Sequence, residues 1–154
     1  MSDLMVPKKE RELQKLSTKV LELLSFYIEN ELFGIPLREV LEVLKTVEPV
    51  PVPFSSSAIR GIINVRGEII PVLDLKKIIG LKGTKAENRI VILESQKGKV
   101  GVLVDDVYGV IRLDEERLEP NPMMGKHSKF VRNVAYIDGT LISILDFERI
   151  AESV

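Results

Sequence analysis

The chain has 154 residues, 29% of them charged, and a formal net charge of −1 at pH 7, which gives no broad electrostatic pull toward nucleic acid. Its 45% hydrophobic content is globular, neither disordered nor membranous, and its length is that of one ordinary domain. The absence of cysteine excludes disulfides and thiolate metal sites and fits a reducing compartment, and with no apolar signal core and no run of transmembrane length a cytoplasmic protein is expected.

Residues 1–20 are charge-rich, with Lys8-Lys9-Glu10-Arg11-Glu12 followed by Leu13, Leu16 and Val20 at near-helical spacing. They are expected to form a flexible extension with nascent helix, a docked amphipathic helix being the alternative. Leu21 to Ile28 reads as a strand, Glu29-Asn30-Glu31 as a turn, and Leu32 to Pro36 as the second strand of a hairpin. The segment 37–44 mixes signals: Leu37, Val40, Leu41 and Leu44 fit a helical turn or two, whereas Val43, Val47 and Val50 prefer strands. Pro49, Pro51 and Pro53 force an extended path, and Ser55-Ser56-Ser57 can cap a single turn.

Residues 59–79 hold the best-defined local pattern. Ile59, Ile63 and Val65 mark a strand, Arg66-Gly67 a two-residue turn, and Glu68 to Leu73 the return strand. Pro71 cannot donate to a ladder and suggests a sheet edge or a bulge. Asp74 suits an N-cap, Leu75 to Ile79 a short helix, and Gly80 its stop. The pattern recurs at an offset of 72, which places Gly67 on Gly139, Leu73 on Leu145, Asp74 on Asp146 and Ile78 on Ile150. A weaker match at 67 sets Phe33-Gly34-Ile35 against Val100-Gly101-Val102 and Val40 on Val107. Two similar halves follow, roughly 23–80 and 88–150, sharing one core and able to exchange terminal elements.

A polar linker, Gly80 to Asn88, separates them. The second half opens with strands at Arg89 to Glu94, Lys99 to Val104 and Val107 to Leu113, then a long loop at 115–129 carrying Met123 and Met124. Short strands at regular spacing predict an all-β fold of two barrel-like halves with short accessory helices.

No enzymatic constellation emerges. Asp74 and Asp146 occupy equivalent places, which invites comparison with a shared-proton dyad and hence a small hydrolase, but each precedes a short helix and N-capping explains both. His127 has neither cysteine nor a second histidine beside it, so a loop position is expected rather than a metal ligand. Ser55, Ser56 and Ser57 lie in no nucleophile elbow, and the Gly80 to Lys85 stretch fails phosphate-loop spacing. Asp105-Asp106, Asp114 and Glu115-Glu116 lack a calcium-loop pattern and read as solvated acidic turns. No cofactor and no metal are expected. Arg66 stands at a hairpin tip with no local duty, where it is either a solvated cation or a contact residue that Glu42 could face. Met123-Met124 is either an adaptable surface element or a buried satellite of the core.

The segments FGIPLREVLEV at 33–43, IRGIINVRGEIIPVLDLKKIIGL at 59–81, VGVLVDDVYGVIRL at 100–113 and IDGTLISILDFERI at 137–150 resemble the CheW family of chemotaxis coupling proteins, over about residues 22–151. The resemblance implies two SH3-like five-stranded β-barrels packed together in a CheW-like domain at 21–151, and a non-catalytic adaptor joining chemoreceptors to a histidine kinase. The implied partners are the regulatory domain of the CheA histidine kinase and the cytoplasmic tip of methyl-accepting chemoreceptors, with no nucleic acid and no direct membrane insertion. The implied location is the cytoplasm, with recruitment to membrane-associated receptor arrays. Residue matching places Val40, Glu42, Gly61 and Arg66 on partner-coupling positions and Met124 in a loop that helps close rings of adaptor and kinase. Ile137-Asp138-Gly139 lacks the arginine found at Arg66, so the halves are not expected to be interchangeable. A CheW-like adaptor of a different receptor–kinase pathway, for surface motility or development, is the alternative.

Overall fold

Three tight turns set the register of the strands. In the computed structural model, which describes residues 9, 19–122 and 129–154, Glu29-Asn30, Arg66-Gly67 and Asp138-Gly139 each hold two consecutive residues at positive φ. That conformation belongs to the two-residue hairpin turn whose twist matches its flanking strands. Glu29-Asn30 joins β1 (Val20–Ile28) to β2 (Glu31–Pro36), and Arg66-Gly67 joins β4 (Ile59–Val65) to β5 (Glu68–Leu73). Asp138-Gly139 joins β10 (Val131–Ile137) to β11 (Thr140–Leu145). A non-glycine residue held left-handed costs about 1–2 kcal/mol. At the Arg66 turn the Asn64 side chain offsets part of this by accepting the Gly67 N–H at 2.8 Å.

The segment 37–44 satisfies both of its signals. Leu37–Glu39 is a turn of 3-10 helix, and Val40–Lys45 is β3 with alternating half-buried and exposed residues. After β5 comes α1 (Leu75–Ile79), then β6 (Arg89–Ser95), β7 (Gly98–Val104) and β8 (Asp106–Asp114). The expected long loop at 115–129 is shorter than its composition suggested. A 3-10 turn at Glu115–Arg117 and the two-residue β9 (Glu119–Pro120) occupy its start, and β9 pairs with β10. The chain closes with α2 (Phe147–Glu152) after β11.

The strands form two sheets, ordered β8-β1-β2-β11-β10-β9 and β3-β6-β7-β5-β4. This is the expected all-β, two-barrel architecture, with β9 added to one edge. The internal repeat is visible in the pairings. In the first sheet β2 lies parallel to β11, and in the second β7 lies parallel to β5; the repeat sets β2 on β7 and β11 on β5, so the two pairings are equivalent and each joins strands of opposite halves. Each sheet thus takes one hairpin from one half of the sequence and its remaining strands, four in the first sheet and three in the second, from the other half. The chain passes between sheets twice, through Leu37–Glu39 and through the single residue Asp105.

Three apolar clusters follow from this exchange. Leu23, Leu32, Ala135 and Ile142 fill the first sheet, and Ile63, Ile70, Ile90 and Leu103 the second. A larger cluster joins them, drawing Phe26 and Ile35 from one sheet, Val91, Leu93 and Val102 from the other, Leu75 and Ile79 from α1, and Phe147 and Ile150 from α2. Each such side chain, fully buried, contributes about 1.5–3 kcal/mol. Pro71 does not mark an edge, since β5 lies inside its sheet. The β5–β7 ladder covers only Val72 and Leu73, so the missing N–H of Pro71 falls outside it.

Candidate functional site

Glu42 and Arg66 come together. Arg66 Nη2 donates to Glu42 Oε1, linking the β4–β5 turn to β3. These elements stand at opposite ends of the second sheet's strand order, so the pair ties its two ends together. The Arg66 side chain is 73% exposed and that of Glu42 30%. Such a pair contributes about 0–1 kcal/mol to stability, which leaves donors of the planar guanidinium for another molecule.

Around the pair is a depression of about 360 Å³ lined by Leu41, Val65, Ile70 and Ile92 with Glu68, Glu94 and Lys99. Glu68, Glu94 and Lys99 also line a larger, mainly apolar groove of about 550 Å³, bounded by Ile59, Ile69, Leu73, Val100, Ala151 and Val154. Lys99 Nζ lies 2.8 Å from Glu68 Oε2 on the shared wall. The Glu68 carboxylate pushes the Lys99 ammonium above its ordinary pKa.

The remaining predicted residues stand apart from the pair. Val40 is half-buried against the large shared cluster, so it supports the base of β3. Gly61 is buried in β4, roughly 16 Å along the strand from Arg66 at about 3.3 Å per residue. A Cβ there would collide with the Val50 carbonyl oxygen and lie 2.7 Å from the carbonyl carbon. Gly61 therefore allows residues 49–50 to approach β4, where Val50 and Ile62 exchange backbone hydrogen bonds of 2.9 Å. Met124 lies outside the described residues, as do Met123 and His127.

Asp74 and Asp146 are caps. Asp74 Oδ1 accepts the Lys77 N–H at 3.1 Å, and Asp146 Oδ1 accepts that of Arg149 at 3.3 Å. Each also pairs with an arginine on the first strand of the hairpin before it, Arg60 on β4 and Arg132 on β10, at 3.3 Å. No group of three or more acidic, histidine or cysteine side chains among the described residues is placed to hold a metal ion.

Sequence reasoning missed two features. The outward rows of the edge strands are apolar: Leu41 and Val43 on β3, and Tyr108 and Val110 on β8, at the offset of 67. Alternation within Val40–Lys45 and Asp106–Asp114 was the available signal. The other feature is Asp105, which is no solvated turn residue. It is 6% exposed and lies 3.3 Å from the ammonium of Lys76, itself 8% exposed.

The fold and the site define an all-β protein of two exchanged, barrel-like units with a polar pair and apolar edges at its surface. A profile of the CheW-like domain matches residues 22–154, and the chain belongs to that family. It is 34% identical over 137 residues to chemotaxis protein CheW of Thermotoga maritima, covering 88% of this chain and 91% of the relative. It is 28% identical over 137 residues to protein FrzA of Myxococcus xanthus, covering 86% of each. The crystal structure of the scaffolding protein TtCheW from Thermoanaerobacter tengcongensis superposes with a TM-score of 0.78 at 37% identity, covering 84% of this chain and 86% of that one.

Proposed function

We propose that this chain is a chemotaxis scaffold that couples receptors to a histidine kinase without chemistry of its own. The cytoplasmic tip of a methyl-accepting chemoreceptor and the regulatory domain of CheA are its partners, and the protein works in the cytoplasm at receptor arrays. Among the described residues no helix is long and apolar enough to cross a membrane. The observation that carries the reading is the exposed Arg66–Glu42 pair, set in a charge-lined depression beside a mainly apolar groove, together with apolar rows on an edge of each sheet. An adaptor needs two separate surfaces, and depletion of charge with apolar side chains at their centres is what partner contacts require. Met124 is a partner-contact residue in this proposal. The match to FrzA supports a second reading, an adaptor of another receptor–kinase pathway serving surface motility or development, with the same mechanism and different partners.

Reconstitution of the protein with kinase and receptor-tip fragments, read as kinase autophosphorylation, tests the assignment. Arg66→Glu is expected to abolish receptor-dependent activation with little change in melting temperature, because the exposed pair contributes little to folding. Arg66→Lys keeps the charge and loses the fork, so partial coupling is expected. Restoration by Glu42→Arg in the Arg66→Glu background would establish a direct pair. Normal coupling by Arg66→Glu would make the arginine ordinary surface.

A further inference from the structure

Lys76 is a lysine buried in a five-residue helix, and its ammonium serves three groups. It donates to Glu29 Oε1 at 2.8 Å and to the Lys85 carbonyl at 2.9 Å, and lies 3.3 Å from Asp105 Oδ1. Glu29 also accepts the Lys85 N–H at 2.8 Å, and its own N–H donates to Asp105 Oδ2 at 2.7 Å. The cluster thus ties together the β1–β2 turn of the first sheet, α1 and the linker beside the second sheet, and Asp105, where the chain crosses between sheets. Gly83 of the linker lies flush against it, since a Cβ there would collide with the Glu29 carboxylate.

The other crossing is not built this way. Offset 72 sets Glu148 where Lys76 stands, so the equivalent helix presents an acid in place of a base. At that crossing Glu39 Oε2 is buried without a hydrogen-bond partner, whereas Asp105 Oδ1, likewise without a hydrogen bond, has the Lys76 ammonium 3.3 Å away. Apolar packing between the sheets is non-directional and tolerates small rotations, whereas a buried ion cluster is satisfied only in a narrow geometry. Buried ion pairs add little net stability, and their best-attested use is to specify one arrangement among several.

We propose that Glu29, Lys76 and Asp105 form a buried ionic latch that sets the angle between the two sheets, and with it the relative aim of the two partner surfaces. The second clause rests on the adaptor reading; the first does not. Burial alone would pull Lys76 down, but the carboxylates of Glu29 and Asp105 outweigh it and hold the lysine above its ordinary pKa, which agrees with a permanently charged centre. Lys76 is a positioning residue: it needs no contact with either partner.

The test uses the full chain. In the triple variant Lys76→Met, Glu29→Gln, Asp105→Asn the backbone N–H groups keep their acceptors while the charges vanish. Gly83→Ala is a second variant that keeps every charge and displaces Glu29. Residual dipolar couplings of the native protein should fit one alignment tensor across both sheets. Either variant should need two tensors, and Lys76→Arg should return to one. In binding assays the variants should hold kinase domain and receptor tip singly within about twofold of the native affinity, while assembly of all three components weakens by roughly tenfold or more, as expected when two sites lose their mutual geometry. One tensor in both variants overturns the latch. Parallel loss of single and combined binding reduces the cluster to a structural role and also overturns it. Failure of the native protein to join the two partners defeats the adaptor reading and leaves the tensor result standing.

Discussion

Glu39 is a carboxylate that the fold desolvates without a compensating donor. Its Oε2 is buried and unbonded, and burial pushes its pKa above the ordinary 4.5, although Arg132 and Arg38 pull it back. Glu148 and Asp146 face it as well and reinforce the rise. A raised folded-state pKa on an acid means that the native state binds the proton more tightly. The Glu39 contribution to stability is therefore full below pH 4.5 and declines as pH rises from there through the folded-state value. Glu39→Gln removes that decline. The variant should match the native protein below pH 4.5 and melt higher at neutral pH, as measured by thermal scans across the pH range. A lower melting temperature at pH 7 would mean that the ionised carboxylate is productively held by Arg132. Glu29 has the opposite sign, because the hydrogen bond from Lys76 lowers its pKa, and its contribution is lost on acidification.

At the scale of elements, Gly61 shows how a single missing side chain positions a whole segment. The stretch after β3 exposes Val47, Val50, Val52 and Phe54, and its backbone pairs with the middle of β4 where Val50 meets Ile62. Gly61→Ala should push that contact apart, costing about 1–3 kcal/mol as an overpacked site does. Amide exchange at Val50 and Ile62 should accelerate while the Arg66 turn stays protected; unchanged exchange at both amides would show that the segment is held from elsewhere. The hairpins were legible because turn residues and strand alternation are local. Arg66 was legible for the same reason, at the tip of a turn. Glu42 was legible only as a residue that could face it, with the resemblance setting both near one surface, since the strands that carry the two lie at opposite ends of the sheet order. Pro71 misled because a proline signals a missing ladder bond without telling whether the strand lies at an edge or beside a ladder two residues long. Asp105 misled because its burial depends on Lys76, 29 positions earlier, and no local pattern announces that pairing.

At the scale of the molecule, the repeat announced two halves but not that neither half owns a sheet. The β1–β2 hairpin finds its neighbours in β8 and β11, and the β6–β7 hairpin finds its own in β3 and β5. Both hairpins bury apolar faces against strands from the other side of the linker, so a fragment ending at the linker keeps its turns and loses the partners on both sides of its first hairpin. An isolated hairpin is at best marginal in water, and a fragment of this size buries too little surface to compensate. We propose on this basis that residues 23–80 and 88–150 fold only as one cooperative unit. Cutting the chain between Gly83 and Glu87 should leave each purified piece without the cooperative melting of the intact protein. Mixing the pieces should restore it, because every strand pairing except the covalent linker is then available again. The native protein should show a single transition by circular dichroism and calorimetry, with matching enthalpies. Two fragments that melt independently would mean that the exchanged hairpins are accessories to cores that stand alone. In that case the large cluster joining Phe26, Val91 and Phe147 could not be what holds the sheets together.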